Sequence, residues 1–330
     1  MEHRKMIISR TKYQATAEEI DGLFEAKGIG KVIRTMPLGD GEFNAAFRVT
    51  CDNGNDYVLK IAPPADAAVL TYEKNMMESE VYWYRRMKEN TDISCPDIYA
   101  VDLTCGILKS CCFIMEMMKG DPLWKCDFTP EEKERVGAEK IGMLAKIHAI
   151  RNDRYGYRQC GLYDTWYEAL RSMAGNLVKD CREIGFETPD GEEFLRLIEH
   201  RRDVLREAPC RMVNFDLWDS NVLYDNGKLV WIDPERGFWG DPVADFITLG
   251  PGQKAPLSDK KNEIEIYNRT AAEKIELNRD NEIRYACAVA YLALIEEVEK
   301  YVRYEPDHPN YIRNTVDARD MYDMAFAVMK

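Results

Sequence analysis

The first third of the chain contains short apolar runs separated by turn residues, a pattern typical of β-strands. It also contains two helical stretches. Strands are predicted over residues 32–36, 45–51 and 57–61, with a further apolar run over residues 112–118. A short helix is predicted over residues 16–27, where Thr16 and Glu19 have the spacing of a capping box. A longer helix is predicted over residues 69–89. This part therefore indicates a small antiparallel sheet with one long helix.

Beyond Pro122 the pattern changes to the period of α-helices. Helices are predicted over residues 130–149, 165–185, 192–208, 279–304 and 314–329, and one β-rich segment, residues 212–233, interrupts them. A β-containing lobe followed by a helical lobe favours an α+β, bilobal, protein-kinase-like fold. We expect residues 1–118 to form the N-terminal nucleotide-binding lobe and residues 119–330 the C-terminal catalytic and substrate-binding lobe.

Composition and charge exclude several classes of function. The net charge of −13 argues against nucleic-acid binding, which needs a basic surface. It is compatible with a cationic small substrate, although an acidic surface that maintains solubility explains it more simply. No apolar run is long enough for a signal peptide or a membrane span, and the ten cysteines show no C-x-x-C pair. We therefore expect a cytoplasmic protein whose thiols are reduced and mostly buried. We also expect no metal site built on histidines.

The β-rich segment contains the most informative pattern. The dipeptide Asn226-Gly227 between two apolar runs predicts a two-residue β-hairpin. Counting outward from that turn pairs Asn221 with Ile232, so Asn221 and Asp233 should meet at the open end of the hairpin. Two oxygen ligands placed together suit Mg²⁺, which binds a few protein oxygens together with nucleotide phosphates.

Asp216 lies five residues before Asn221, on the segment that enters the hairpin. Phosphoryl transfer needs a carboxylate beside the metal to accept a proton from the attacking hydroxyl or to orient it. An Asp followed five positions later by Asn is a weak signal alone. Combined with a metal-ligand Asp across an Asn-Gly hairpin, it predicts Asp216 as the catalytic residue.

The residues that would bind the nucleotide phosphates are predicted by the same reasoning. A kinase needs a strand lysine that reaches the phosphates and a helix glutamate that holds this lysine. Lys60 is the one charge in an apolar strand, although it could instead face solvent on an edge strand. Glu80 lies among apolar helix neighbours and is the predicted partner of Lys60, with Glu73 and Glu78 as alternatives.

Two further segments are candidates for nucleotide contacts. The turn between the first two strands could place backbone N–H groups over phosphates, so we predict contacts from Gly39, Gly41 and Asn44. A Gly-x-Gly turn is more often merely a turn. The apolar run over residues 112–118 could offer the backbone of Glu116 and Met118 to adenine, with Val58 above the ring. An ordinary core strand fits the start of that run equally well.

With these residues in view, the chain resembles the aminoglycoside phosphotransferase and choline kinase superfamily. The resemblance extends from about residue 32 to about residue 304. The family pattern His-x-Asp-x-x-x-x-Asn, Ile-Asp-x-Glu and Gly-Asp-Pro-x-x-Asp occurs here at residues 214–221, 232–235 and 240–245. The helix ending at His148 matches the family's Leu-x-x-Leu-His, with Ile147 in place of the second leucine. The clear departure is Asn214, which replaces the usual histidine.

The resemblance implies specific roles for these residues. Asp216 would be the catalytic base or orienter, Asn221 and Asp233 the Mg²⁺ ligands, and Lys60 with Glu80 the phosphate-anchoring pair. The structural residues implied are His148, Asp241 and Asp245, whereas Glu235 could either bind metal through water or only form local hydrogen bonds. The cofactors implied are ATP (or GTP) and Mg²⁺.

The resemblance implies a kinase of a small, polar, aminated hydroxyl compound. A fructosamine-kinase-like enzyme is the nearest alternative, because Asp216-Leu217-Trp218 also matches that branch. A catalytically idle nucleotide-binding homologue is a second alternative, which Asn214 alone favours. A protein kinase is disfavoured because only about five residues separate Glu235 from Asp241, which leaves no activation segment.

The substrate pocket is expected on the helical lobe, facing the predicted catalytic residue. Acidic side chains there would suit an aminated substrate, although helix glutamates more often form a solvated face. The sequence does not determine the oligomeric state. The candidate pocket residues are Trp218, Asp219, Trp239, Glu296, Glu297 and Glu299.

Overall fold

The computed structural model of the chain describes residues 12–39 and 43–330. Backbone contacts divide the described chain into two compact units. The first comprises the described residues up to Val69 together with Pro96–Met118, and the second comprises Leu70–Cys95 together with Lys119–Lys330. These units differ from the predicted lobes, 1–118 and 119–330, because the segment 70–95 groups with the second unit. The assignment of functions to the two lobes stays a prediction.

The first unit contains a five-stranded antiparallel sheet with the order β1-β2-β3-β5-β4. Helix α1 packs its apolar face, Ile20, Leu23 and Phe24, into the same core as the sheet. The predicted capping box at Thr16 is confirmed. The strand β4, which was not predicted, pairs with β5. The elements of this unit are α1 Ala17–Ala26, β1 Val32–Leu38, β2 Ala45–Cys51, β3 Asp56–Ile61, β4 Ile98–Asp102 and β5 Cys112–Glu116.

The second unit is mainly helical. A long antiparallel helix pair, α8 and α9, lies in its core, and α8 is buried on nearly every side over Tyr285–Ile295. The helices are α2 Met76–Asn90, α3 Pro130–His148, α4 Trp166–Glu183, α5 Pro189–His200, α6 Arg202–Arg206, α7 Lys261–Tyr267, α8 Arg279–Arg303 and α9 Pro309–Met329. The strands are β6 Asp121–Pro122, β7 Arg211–Val213, β8 Val222–Asp225, β9 Lys228–Trp231 and β10 Phe238–Gly240.

The long helix predicted over residues 69–89 begins later than expected. A 3-10 turn, Thr71–Glu73, comes first, and Asn75 adopts the left-handed conformation with φ 58° before α2 begins at Met76. The carboxylate of Glu73 accepts a hydrogen bond from the backbone N–H of Leu70, which stabilises the separate turn. The prediction of one continuous helix was therefore wrong over its first seven positions.

Two other helix predictions also differ in their bounds. The helix predicted over residues 192–208 is split into α5 and α6 at Arg201, and it begins earlier because Thr188 caps it with Pro189 in the first turn. Helix α9 begins at Pro309, with His308 as its cap. No helix among the described residues is long and apolar enough to cross a membrane.

The predicted hairpin is confirmed. Asp225 pairs with Lys228 across the turn, and both turn residues have positive φ, 48° at Asn226 and 92° at Gly227, as a type I′ turn requires. At the other end the backbone N–H of Ile232 donates to the carbonyl of Asn221 at 3.0 Å. The hairpin thus sets Asn221 beside the start of the segment that contains Asp233.

Candidate active site

The loop that precedes Asp216 is shaped by one buried carboxylate. Asp245 accepts hydrogen bonds from the backbone N–H groups of Asn214, at 2.9 Å, and of Phe215, at 2.5 Å. Phe215 is held at φ 61°, a left-handed conformation that costs a non-glycine residue free energy. Its ring is buried against Phe238. Asp245 therefore fixes a strained turn whose next residue is the predicted catalytic aspartate.

His148 fixes Asp245 in turn. The buried imidazole lies 2.9 Å from the Asp245 carboxylate and 3.0 Å from the hydroxyl of Tyr267. Asp241 caps the 3-10 helix that contains Asp245 and lies 3.0 Å from Arg284. The prediction of His148 as a hydrogen-bonded core histidine is confirmed, and the contacts of Asp241 and Asp245 are those of structural residues.

Asn214, the departure from the family pattern, is fully buried. Its backbone N–H is bonded to Asp245, but neither atom of its side-chain amide has a hydrogen-bond partner among residues 12–39 and 43–330. An unpartnered buried amide lowers the free energy of unfolding. Asn214 thus contributes its backbone to the loop, while its side chain contributes no bond there.

Asp216 and Asn221 form a hydrogen-bonded pair. The side-chain N–H₂ of Asn221 donates to the backbone carbonyl of Asp216 at 2.9 Å and to its carboxylate oxygen Oδ2 at 2.8 Å. With both donors engaged, the carbonyl oxygen of the Asn221 amide, which accepts a long hydrogen bond from the Ser220 hydroxyl at 3.4 Å, is the atom available to a metal ion. Burial raises the pKa of Asp216 to about 7, Asp233 and Glu299 add to the rise, and Arg236 opposes it.

Three carboxylates form a candidate cation site close to this pair. Oxygen atoms of Glu80, Asp233 and Glu235 lie within 4.8 Å of one another. Asp233 has φ 62°, and its backbone N–H donates to the hydroxyl of Tyr84 on α2 at 2.7 Å. Carboxylate oxygens at such spacing are the donors that Mg²⁺ prefers. The residues present thus fit a divalent cation, with Glu80 as an additional candidate ligand.

Helix α2 is packed tightly against the segment that follows Asp233. Gly237 lies on the indole of Trp83, and a Cβ atom at position 237 would come within 2.7 Å of the indole nitrogen. The same indole packs edge-on against Trp239, with ring centroids 5.1 Å apart. Glycine at 237 is therefore required by a close approach between the helix and this segment.

A largely buried chain of alternating charges begins at Asp216. Arg236 Nε lies 3.9 Å from Asp216 Oδ1, and Arg236 Nη2 lies 2.9 Å from Glu299 Oε1 on α8. Glu299 also bonds to Arg303, at 3.0 Å, and Arg303 pairs with Glu73. Although burial alone would raise it, Arg236 and Arg303 hold the pKa of Glu299 below its ordinary value. Arg236 is a site residue that the sequence analysis did not identify.

The remaining predicted substrate residues differ in their surroundings. Trp239 is 2% exposed and belongs to the core, and Glu297 is bonded to Thr188 and Tyr322. Asp219 pairs with Lys140 at 2.7 Å. Glu296 is different, because one of its carboxylate oxygens is buried without a hydrogen-bond partner in the described part of the chain. Of the three predicted glutamates, Glu296 is therefore the best candidate for a ligand contact.

The predicted nucleotide residues that the structure describes lie in the first unit, apart from Glu80. Lys60 is 6% exposed on β3, between Ala46 and Phe113 of the neighbouring strands, and so does not face solvent on an edge strand. Val58 is buried on the same strand, and Asn44 is buried before β2. Gly39 is exposed after β1, whereas Gly41 lies outside the described residues. Because Lys60 and Glu80 belong to different units, their pairing stays a prediction.

The predicted adenine-binding segment follows β5. The backbone N–H of Glu116 donates to the carbonyl of Asp97 at 2.8 Å, so an adenine contact from Glu116 would have to use its carbonyl. Met118 lies two residues beyond the end of the strand, as the last residue of the first unit. The roles of Glu116 and Met118 stay predictions.

Comparison with known proteins supports the resemblance. The model of a phosphotransferase enzyme family matches residues 34–270. No curated protein matches the chain at a significant level. The fold resembles that of a Ralstonia eutropha protein assigned as an aminoglycoside phosphotransferase, with a TM-score of 0.67 and 16% identity over 96% of this chain and 98% of that one.

Two further solved structures have the same fold. One, from Haemophilus somnus, is assigned as a fructosamine-3-kinase, with a TM-score of 0.66 and 13% identity over 93% of this chain and 97% of that one. The other is a thermostable mutant of aminoglycoside phosphotransferase APH(4)-Ia in a ternary complex with AMP-PNP and hygromycin B. Its TM-score is 0.62 and its identity 18%, over 95% of this chain and 98% of that one. The predicted protein-kinase-like fold is confirmed.

Proposed function

Because the chain belongs to the phosphotransferase enzyme family, we propose that it transfers the γ-phosphoryl group of ATP (or GTP) to a hydroxyl of a small, polar, aminated molecule. The observation that supports this proposal best is the pairing of Asp216 with Asn221, at 2.8 Å, near the carboxylates of Asp233 and Glu235. A base, an oriented amide and a carboxylate cluster form the arrangement that phosphoryl transfer to an alcohol requires.

In this mechanism Asp216 accepts the hydrogen bond of the attacking hydroxyl and takes its proton as the new bond to the γ-phosphorus forms, while the bond from that phosphorus to the β,γ-bridging oxygen breaks and the nucleoside diphosphate leaves. Asn221 holds the carboxylate in place through Oδ2. Asp233, the Asn221 carbonyl and Glu235 or Glu80 would hold Mg²⁺, which when bound neutralises charge on the phosphates. Lys60 would anchor the phosphates from β3.

The carboxyl of Glu296 supports the preference for an aminated acceptor. Burial raises the pKa of this carboxyl to about 7, with Asp317 and Glu299 adding to the rise and Arg236 opposing it. A cationic amine bound beside Glu296 would favour the ionised carboxylate and supply the partner that its buried oxygen lacks. A fructosamine-like sugar amine would satisfy the same requirement.

The first test is consumption of ATP or GTP with Mg²⁺ against a panel of aminoglycosides, choline-like amines, aminosugars and fructosamines. Asp216→Asn should reduce turnover by about 10²–10⁴-fold, because a positioned base is lost. Asp225→Asn, at the closed end of the same hairpin, is the matched control and should retain activity. Turnover in Asp216→Asn at the wild-type rate would overturn the assigned base.

The class of acceptor is tested separately. Glu296→Gln should raise KM for an aminated acceptor and leave KM for ATP unchanged. An unchanged KM for the acceptor would remove Glu296 from the proposal. Nucleotide binding without turnover on any panel member would instead favour a catalytically idle homologue.

A further inference from the structure

We propose that Arg236 and Glu299 position the catalytic carboxylate, as links of the largely buried charge chain Asp216–Arg236–Glu299–Arg303–Glu73. The proposal rests on the catalytic role proposed for Asp216. The two oxygens of Asp216 have different neighbours: Oδ2 accepts from Asn221 at 2.8 Å, and Oδ1 faces Arg236 Nε at 3.9 Å. A hydrogen bond on one oxygen and a cation near the other favour one rotation of the carboxylate about its terminal torsion, which is otherwise broad.

Arg236 is itself held by Glu299. The guanidinium bonds to Glu299 Oε1 at 2.9 Å, and the same oxygen accepts the hydroxyl hydrogen of Tyr72. The second oxygen of Glu299 lies 3.0 Å from Arg303 Nη1. Both oxygens of this buried carboxylate are therefore engaged, so Glu299 serves the fold as an anchor for Arg236 and not as a contact for a cationic substrate.

The chain of charges ends beside the first residue of the second unit. Arg303 bonds to Glu73 Oε1, and Glu73 Oε2 accepts from the backbone N–H of Leu70 at 2.7 Å. Each charge in the chain has an opposite charge on either side, except at its two ends. Removing one member takes a charge partner away from its largely buried neighbours, so a change at Glu299 should alter the position of Arg236 and, through it, of the Asp216 carboxylate.

The geometry is tested by crystal structures of Arg236→Lys, Arg236→Met and Glu299→Gln at high resolution. In Arg236→Met and Glu299→Gln we expect the Asp216 carboxylate to rotate and to lose its hydrogen bond from Asn221, whereas Arg236→Lys should largely preserve it. Glu297→Gln is the matched control, since Glu297 lies on the same helix and bonds to Thr188 and Tyr322. An Asp216 carboxylate that keeps its wild-type position in Arg236→Met and Glu299→Gln would overturn the proposal.

The kinetic consequence is measured with Mg²⁺-ATP and water as the acceptor, and then with any acceptor found by the panel. Arg236→Met and Glu299→Gln should lower kcat by about 10²-fold with KM for ATP unchanged, because a displaced base impairs chemistry and not nucleotide binding. Arg236→Lys should recover part of this loss. A rotated carboxylate combined with full activity of Asp216→Asn would leave the positioning role intact and refute the catalytic role of Asp216. Equal losses in kcat and in ATP affinity would contradict positioning.

Discussion

The side-chain amide of Asn221 donates to Asp216 twice, once to the backbone carbonyl at 2.9 Å and once to the carboxylate at 2.8 Å. Both bonds use the amide nitrogen, so the orientation of the amide is determined and its oxygen faces away from Asp216. One residue thereby links the orientation of the base to the placement of a metal ligand.

Asn221→Asp separates these two roles. The carboxylate keeps an oxygen for a metal ion but loses both N–H donors and places a negative charge beside Asp216. We expect kcat to fall by about 10²-fold or more, while KM for ATP changes little. Steady-state kinetics over a Mg²⁺ series would measure both parameters, and an unchanged kcat would show that the amide bonds do not orient Asp216.

Asn214→Leu should stabilise the protein. The side-chain amide of Asn214 is buried without a partner, so an apolar side chain of similar size removes an unpaired polar group. We expect the free energy of unfolding, measured by urea denaturation, to rise by about 1 kcal/mol.

The control for this change is Asn281→Leu. The amide of Asn281 is also buried, but it donates to the carbonyl of Glu276 at 2.8 Å. Its replacement should lower the free energy of unfolding by about 1–3 kcal/mol. A loss of similar size in Asn214→Leu would mean that Asn214 has a hydrogen-bond partner in solution.

Asp245→Asn should destabilise the loop before Asp216. The carboxylate accepts from two backbone N–H groups, those of Asn214 and Phe215, and an amide would point a donor at one of them. We expect the free energy of unfolding to fall by about 2–3 kcal/mol, as for a buried donor left unpaired. Asp164→Asn, an exposed carboxylate, is the comparison and should change stability little. Equal stability of the two variants would disprove the structural role assigned to Asp245.

Glu296 should make stability depend on pH. Burial raises its pKa in the fold to about 7, above the ordinary value of 4.5, so the folded protein binds more protons than the unfolded chain between these values. Stability from this group is therefore fully present below pH 4.5 and is lost as the pH rises through 7.

Glu296→Gln mimics the protonated carboxyl at every pH. Relative to the wild type, it should be about 1–3 kcal/mol more stable above pH 8 and similar near pH 4. Urea denaturation at the two pH values gives the difference. A stability difference that does not vary with pH would rule out a raised pKa at Glu296.

Much of the site follows from local sequence. The hairpin register is determined by Asn226 and Gly227, whose positive φ values close the turn, and this places Asn221 opposite Ile232. Asp216 and Asn221 are five residues apart and lie in the same loop. Pairings of this kind depend on neighbours a few residues apart, which is why a single sequence predicts them.

Contacts between distant residues were not predictable in the same way. Arg236 meets Glu299 across 63 residues, and nothing in its own segment indicates the partner. The only local signal was a basic residue directly after the acidic segment Asp233-Pro234-Glu235. The late start of α2 had a similar cause, because it depends on Glu73, whose carboxylate bonds to Arg303 from a distant helix.

The fit of Trp83 onto Gly237 has a consequence for sequence variation. Any side chain at position 237 would collide with the indole, and a smaller residue at position 83 would leave an empty space beside Trp239. The two positions should therefore change together during evolution. Among homologues we expect glycine at the position of 237 wherever tryptophan occupies the position of 83, and a larger residue only where the aromatic ring has been replaced by something smaller.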